Sequence, residues 1–280
     1  SDTTPSNDFW LRMKTILAFW ETLKCRDFML GRDVRVFEKK LARYTGAKYA
    51  LGVASGTDAL ILSLKACGIG PGDEVIVPAI GFFSTPAAAA WVNARPIFVD
   101  VEEENFNIDC SKIERAVTAQ TKAIIPVHLN GRMADMETVC HIARRKSFKV
   151  IVDAAHAVGS GYKGQPIGGY GDLIALSFNF SKIFEGYGDG GAILTNNDNL
   201  AEKILHMRMY GAPSWKEIHT TNRLVGIASR LQSLQAAALN VKFPYLESWI
   251  AKQRENYSFY QNSLQGVGDL ILPGVHPDYF

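Results

Sequence analysis

The sequence predicts an α/β protein: a mostly parallel central sheet with helices on both faces, joined to an incomplete second, smaller domain. Three observations predict this. Short β-rich apolar runs alternate with helical patterns from about residue 48 to Asp153, as parallel sheets covered on both faces require. Beyond Asp153 the alternation changes, and two strand-like runs follow with a glycine-rich stretch between them. The chain has 280 residues, 47% hydrophobic and 21% charged, enough for one large domain and part of a second.

The elements read in order. "NDFWLRMKTILAFWETLKC" places apolar residues at helical spacing, with Asn7 or Asp8 in place to cap it. "DVRVFEKKLARYTG" is a second amphipathic helix, with Asp33 as cap and Gly46 as stop. "KYALGVA" is a strand and "GTDALILSLKACG" a helix. "DEVIVPA" and "TPAAAAWVN" repeat the pair, as do "RPIFVDV" and a helix near Lys112 to Thr118. "KAIIPVH" then precedes the helix "MADMETVCHIARR", and "KVIVDAA" is the next strand. "DLIALSFNF" and "GGAILTN" read as strands, followed by helices from Leu200 to Met209 and from about Leu231, the last interrupted by Pro244. The expected division is an N-terminal helical arm (1–30), a large domain (31–240), and a linker helix with the start of a small domain (241–280) that looks truncated at "HPDYF".

Composition narrows the function classes. A formal net charge of +2 offers no field for steering to nucleic acid, and the basic run "HIARRKSFK" reads as a solvated helix end. Cys25, Cys67, Cys110 and Cys140 lie far apart with no C-x-x-C spacing. No zinc or redox site is therefore suggested, and free buried thiols are expected. "SDTTPSNDFW" lacks the pattern of a signal peptide, and the apolar runs are too short to span a bilayer. The expected address is the cytoplasm, with no membrane partner.

Ligands of such sheets gather at the carboxyl ends of the strands, which directs attention to "SGTD", "PAIGFFST", "HLNGR" and "DAAHAVG". In "SGTDAL" small residues and a hydroxyl open a helix, the arrangement that binds an anion or simply caps the helix with Ser55 or Thr57. Asp153 ends the strand "KVIVD" among alanines, where a carboxylate needs a cationic partner. Lys182, in "SFNFSKIFEGYGDGG", is either a snorkelling lysine or an amine activated by desolvation. Gly186, Gly188 and Gly191 satisfy G-x-G-x-x-G but lead into a β-like run, so a nicotinamide fingerprint is rejected. Pyridoxal 5'-phosphate needs all three features together: a lysine for its aldehyde, a carboxylate for its ring nitrogen and donors for its phosphate.

At these residues the chain resembles the DegT/StrS family of sugar aminotransferases that use pyridoxal phosphate. "LGRDVRVFEKKLARYTGAKYALGVASGTDALILSL", "GIGPGDEVIVPA", "PIFVDVEEENFNID", "PVHLNGRMADM", "VDAAHAVGSGYKGQPIGGYGDL", "SFNFSK", "YGDGGAILTN" and "GIASRLQSLQAAAL" carry the likeness. The resemblance implies that Lys182 holds the cofactor as a Schiff base and that Asp153 pairs with the pyridine nitrogen. It implies that Gly56, Thr57 and Ser177 hold the phosphate, that Phe82 stacks on the ring and that His156 lies beside it. It also implies a nucleotide-sugar substrate, an amino-acid donor such as glutamate, and a homodimer with shared active sites. The chain departs from the family at Gly226-Ile227-Ala228-Ser229-Arg230, where G-x-N-x-R is usual; the Ala228 side chain has no donor for a neighbouring subunit's phosphate. "YGDGG" resembles members that aminate C3 of the sugar. The alternatives are a sugar dehydratase of the same fold, which by resemblance has histidine in place of Lys182, and a non-catalytic cofactor-binding regulator.

Overall fold

The structure, a computed structural model, describes residues 9–221, 224–274 and 278–279. Among the described residues there are nine strands. They are β1 (Tyr49–Val53), β2 (Glu74–Pro78), β3 (Arg95–Val99), β4 (Thr121–Ile124), β5 (Lys149–Asp153), β6 (Gly161–Tyr162), β7 (Gln165–Pro166), β8 (Leu173–Ser177) and β9 (Gly191–Thr195). Seven make one sheet in the order β1-β9-β8-β5-β4-β2-β3, and β6 pairs with β7 in a separate hairpin. The pairs from β8 to β3 are parallel, while β9 runs antiparallel to both its neighbours.

Alternation along the strands divides the interior into two cores, one on each face. Val75 and Val77 join the cluster of Leu51, Leu60 and Ile193, whereas Ile76 joins that of Phe37, Phe178 and Leu239. The helices α1 (Phe9–Cys25), α2 (Arg32–Thr45), α3 (Gly56–Ala66), α4 (Ser84–Trp91), α5 (Cys110–Ala116), α6 (Met136–Lys146), α7 (Asp198–Met207), α8 (Ser233–Lys242) and α9 (Leu246–Leu264) surround the sheet. α2 buries Val34, Phe37, Leu41 and Thr45, one stripe at helical spacing.

Local chemistry sets the ends of these elements. Gly46 closes α2 at φ 71°, the left-handed conformation a glycine takes without strain. Asp33 does not cap α2: the cap position is Gly31, and Asp27 Oδ2 accepts from the Arg32 amide at 2.6 Å. The helix begins one residue before Asp33, whose carboxylate instead accepts from the Thr22 hydroxyl. The proposed α1 caps, Asn7 and Asp8, lie outside the described residues. Pro244 separates α8 from α9 within a 3-10 turn, Phe243–Tyr245. Of the cysteines, all free, Cys25 is exposed rather than buried because its position at the end of α1 faces solvent. The β6–β7 hairpin was not foreseen, since two-residue strands leave no periodic pattern.

The antiparallel insertion of β9 builds the functional edge. Gly191 pairs with Val53 at the carboxyl end of β1 and with Ser177 at the carboxyl end of β8. A Cβ at Gly191 would lie 2.4 Å from the Ser55 carbonyl oxygen, so only glycine lets β9 start beside the entry to α3.

Candidate active site

Each of the sequence-predicted residues belongs to a segment leaving this same edge of the sheet. After β1, the Ser55 hydroxyl accepts from the Asp58 amide at 3.0 Å and caps α3. The amides of Gly56 and Thr57 make no hydrogen bond among the described residues, so two donors remain at a helix N-terminus where the dipole favours an anion. Gly56 lies against Ser177: a Cβ there would come within 2.8 Å of the Ser177 Cβ. Glycine thus opens a small cradle between α3 and the end of β8.

Asp153 ends β5 and is 4% exposed. Its Oδ2 accepts from the Thr85 hydroxyl at 2.7 Å, and its Oδ1 from the Ala155 amide at 3.2 Å. No lysine, arginine or histidine among the described residues lies within ion-pair distance of it. A carboxylate withdrawn from water with two neutral donors and no cation is costly, and it has lone pairs left for a positive ligand group. Phe82 stands just before α4, its carbonyl accepting from the Thr85 amide at 3.2 Å, with the ring 68% exposed.

Lys182 lies on the loop between β8 and β9. Its amide donates to the Asn179 carbonyl at 2.9 Å, and the Asn179 side chain donates to Asp189 at 2.9 Å. Phe178 receives the Gly186 amide at 2.7 Å, and its ring packs edge-on against Phe37 and Phe184. Both Phe178 and Phe184 are fully buried, so the loop is pinned on either side of the lysine. The Lys182 amine itself makes no hydrogen bond or ion pair among the described residues. Burial pushes it below the ordinary lysine range, against the opposing pull of Asp153. His156 is half-buried; burial first, then the charge of Lys182, pushes it down, and Asp153 pulls it up. Lys182, Asp153 and His156 thus form one electrostatic group, in which burial disfavours the charged form of the amine.

Two contributors were not singled out in the sequence. Thr85, which orients Asp153, stands inside the quoted "GFFST", and a hydroxyl on the first turn of a helix facing a strand-end aspartate was the available signal. Ser229 is fully buried; it donates to Asp58 Oδ2 at 2.6 Å and accepts from the Ala54 amide at 3.1 Å. It ties the segment around Ala228 to the start of α3 within this chain, a contact with no local sequence signature.

The family model for the DegT/DnrJ/EryC1/StrS aminotransferase family matches residues 11–279. The chain belongs to that family. A protein of Geobacillus stearothermophilus named "Pleiotropic regulatory protein" is 44% identical over 90% of this chain and 67% of its own length. The UDP-N-acetyl-3-dehydro-α-D-glucosamine 3-aminotransferase of Acidithiobacillus ferrooxidans is 39% identical over 96% of this chain and 72% of its own. The crystal structure of DesV of S. venezuelae in complex with a ketimine intermediate superposes with a TM-score of 0.93. It is 36% identical, covering 96% of this chain and 72% of that one. Matched structures also include a PMP-bound and a PLP-bound relative. The fold of this family member is that of the aminotransferases it matches.

Proposed function

We propose that this family member is a pyridoxal-phosphate-dependent aminotransferase that moves an amino group, from glutamate as donor, onto a keto group of a nucleotide-linked deoxy sugar. The observation that carries the reading is the buried Asp153 carboxylate with no protein cation, electrostatically coupled to an unpartnered, half-buried Lys182 amine. The residues fit the cofactor: an anion awaits a protonated ring nitrogen, a free amine awaits an aldehyde, and the glycine cradle offers two free amides to a phosphate.

When bound, pyridoxal phosphate supplies an electron-accepting ring that takes up the pair left as the donor's Cα proton departs. The chain's residues do the rest. Asp153, held by Thr85 and the Ala155 amide, would keep a proton on the ring nitrogen. Lys182 would hold the cofactor's aldehyde carbon through its amine and, when free, would serve as the general base and acid that moves the donor's Cα proton; burial lowers its pKa, which suits both roles. Gly56 and Thr57 amides with the Ser177 hydroxyl would bind the phosphate, while Phe82 would stack on the ring and His156 would stand beside it.

The active form is a homodimer with shared sites. The exposed face of α1 carries Phe9, Trp10, Ile16, Leu17 and Trp20, each at least 56% exposed, and Phe82, Phe83 and Phe180 stand exposed at the sheet edge. Apolar surface of this extent needs a cover, and a second copy would close an otherwise open site. The remaining assignments are the division at residues 30 and 240, with α9 leading into a small domain, C3 as the position aminated, and the cytoplasm as the compartment. Among the described residues no helix is long and apolar enough to cross a membrane.

Substitution Lys182→Ala tests the reading: turnover with glutamate and the visible absorbance of the lysine-bound cofactor should both vanish, whereas retained full turnover contradicts it. A non-catalytic regulator is the second reading, favoured by the relative named for regulation. A single glutamate half-reaction, followed by absorbance, separates the two. Lys182 itself stands against the dehydratase.

A further inference from the structure

Lys242 is the last residue of α8 and is fully buried. Nothing in the reaction above uses it. Its Nζ donates to the Glu185 carbonyl at 3.0 Å and to the Glu185 carboxylate at 3.4 Å, and it stands 4.4 Å from the centre of the Tyr187 ring. Two turns earlier on the same helix, Gln235 Oε1 accepts from the Tyr187 amide at 2.6 Å and Nε2 donates to the Tyr187 carbonyl at 3.1 Å. Residues seven apart share a helix face, so α8 grips the loop at Glu185 and Tyr187 with two side chains. Gly186, between those residues, allows the grip: a Cβ there would lie 2.6 Å from Gln235 Oε1. The gripped carbonyl is three residues from Lys182.

We propose that Lys242 is a positioning residue for the transfer reaction: from the end of α8 it holds the 182–187 loop so that the Lys182 amine stays desolvated at the carboxyl edge of the sheet. The proposal rests on the reading of Lys182 given above. A buried ammonium is an expensive choice for a purely structural pin, because burial opposes its charge. Here the charge has three fixed acceptors: a carbonyl, a carboxylate and an aromatic face. Together they specify one loop conformation rather than several. The charged and titratable groups that bear on Lys182 are Asp153 and His156, and those that bear on Lys242 are Glu185 and the Tyr187 ring.

The test uses the apoprotein as well as the loaded enzyme. Lys242→Met removes the donor at nearly constant volume. Lys242→Met combined with Glu185→Gln also removes the unpaired carboxylate, keeps the net charge of the site, and serves where the single variant folds poorly. Competitive acetylation across pH, with the Lys182 peptide quantified by mass spectrometry, reports the titration midpoint of its amine without any cofactor. In both variants the midpoint should move up toward that of an ordinary lysine. With cofactor added, kcat should fall ten- to a hundredfold with KM within about threefold. A double variant that keeps the wild-type midpoint and wild-type kcat overturns the proposal. Wild-type protein that forms no lysine-bound cofactor overturns the underlying reading instead, so the two failures are distinct.

Discussion

The two sides of the β8–β9 loop treat a lysine in opposite ways. On the sheet side, Lys182 is half-buried with no hydrogen-bond partner among the described residues; on the α8 side, Lys242 is fully buried with Glu185 and Tyr187 around it. Burial opposes the charge of both. The difference lies in what compensates. Lys242 has acceptors that offset part of that cost and hold it in place, so it behaves as a fixed post although burial still lowers its pKa on balance. Lys182 has only the field of Asp153 and no hydrogen-bonding acceptor among the described residues, which leaves its amine free for the covalent role proposed above. Depth of burial therefore does not mark the lysine proposed as reactive; the absence of a hydrogen-bonding acceptor does.

The largest way to break this comparison is at Lys182. Lys182→Ala should lower transamination on the order of 10⁴-fold, measured as glutamate-dependent turnover, while leaving the thermal midpoint within a few degrees. If stability falls and turnover survives, the roles of the two lysines are reversed. Next comes the packing beneath the loop. Phe184 is fully buried against Phe37, Phe178 and Phe243, so Phe184→Ala should cost about 3–5 kcal/mol in denaturant unfolding. A loss under about 1 kcal/mol would mean the loop is not anchored there.

Asp153→Asn sharpens the other half of the site. The amide keeps an acceptor for Thr85 but cannot hold a proton on a ring nitrogen, and kcat should drop by about 10²–10³. Unchanged kcat would remove Asp153 from the chemistry. A pH-dependent effect extends the rule to a third buried base. His128 is 1% exposed, its Nδ1 accepts from the Ala134 amide at 3.2 Å, its Nε2 has no partner among the described residues, and burial pushes it down to about 3. The unfolded chain takes up that proton near pH 6.5 and the folded chain does not, so stability falls as pH drops from 6.5 toward 3 by up to about 1.4 kcal/mol per unit. His128→Asn should flatten that part of the acid limb in urea titrations at stepped pH; parallel limbs would contradict the account.

Much of this was legible in the sequence because its causes are local. The strand-helix alternation from Tyr49 to Asp153, the Gly46 stop and the Ser55 cap each depend on a few adjacent residues. So does the rejection of the nicotinamide fingerprint, since Gly186 and Gly188 lie in a turn and Gly191 opens β9. What escaped was set by partners far along the chain. Asp33 looked like a cap, but Asp27 supplied the acceptor from outside the helix. Thr85 meets Asp153 across 68 positions, and Lys242 meets Glu185 across 57. Lys242 sits in "NVKFPY", where a lysine after a helical run reads as a solvated helix end. Only the packing of α8 against the loop turns it inward.

The central claim, that Lys182 rather than any other amine is the covalent anchor, has a direct test. The protein is incubated with pyridoxal phosphate, reduced with borohydride and digested, and its lysine peptides are weighed. The account predicts one adduct of the reduced cofactor, on Lys182, with Lys242 unmodified. An adduct on Lys242, or none on Lys182 in folded protein, would contradict it.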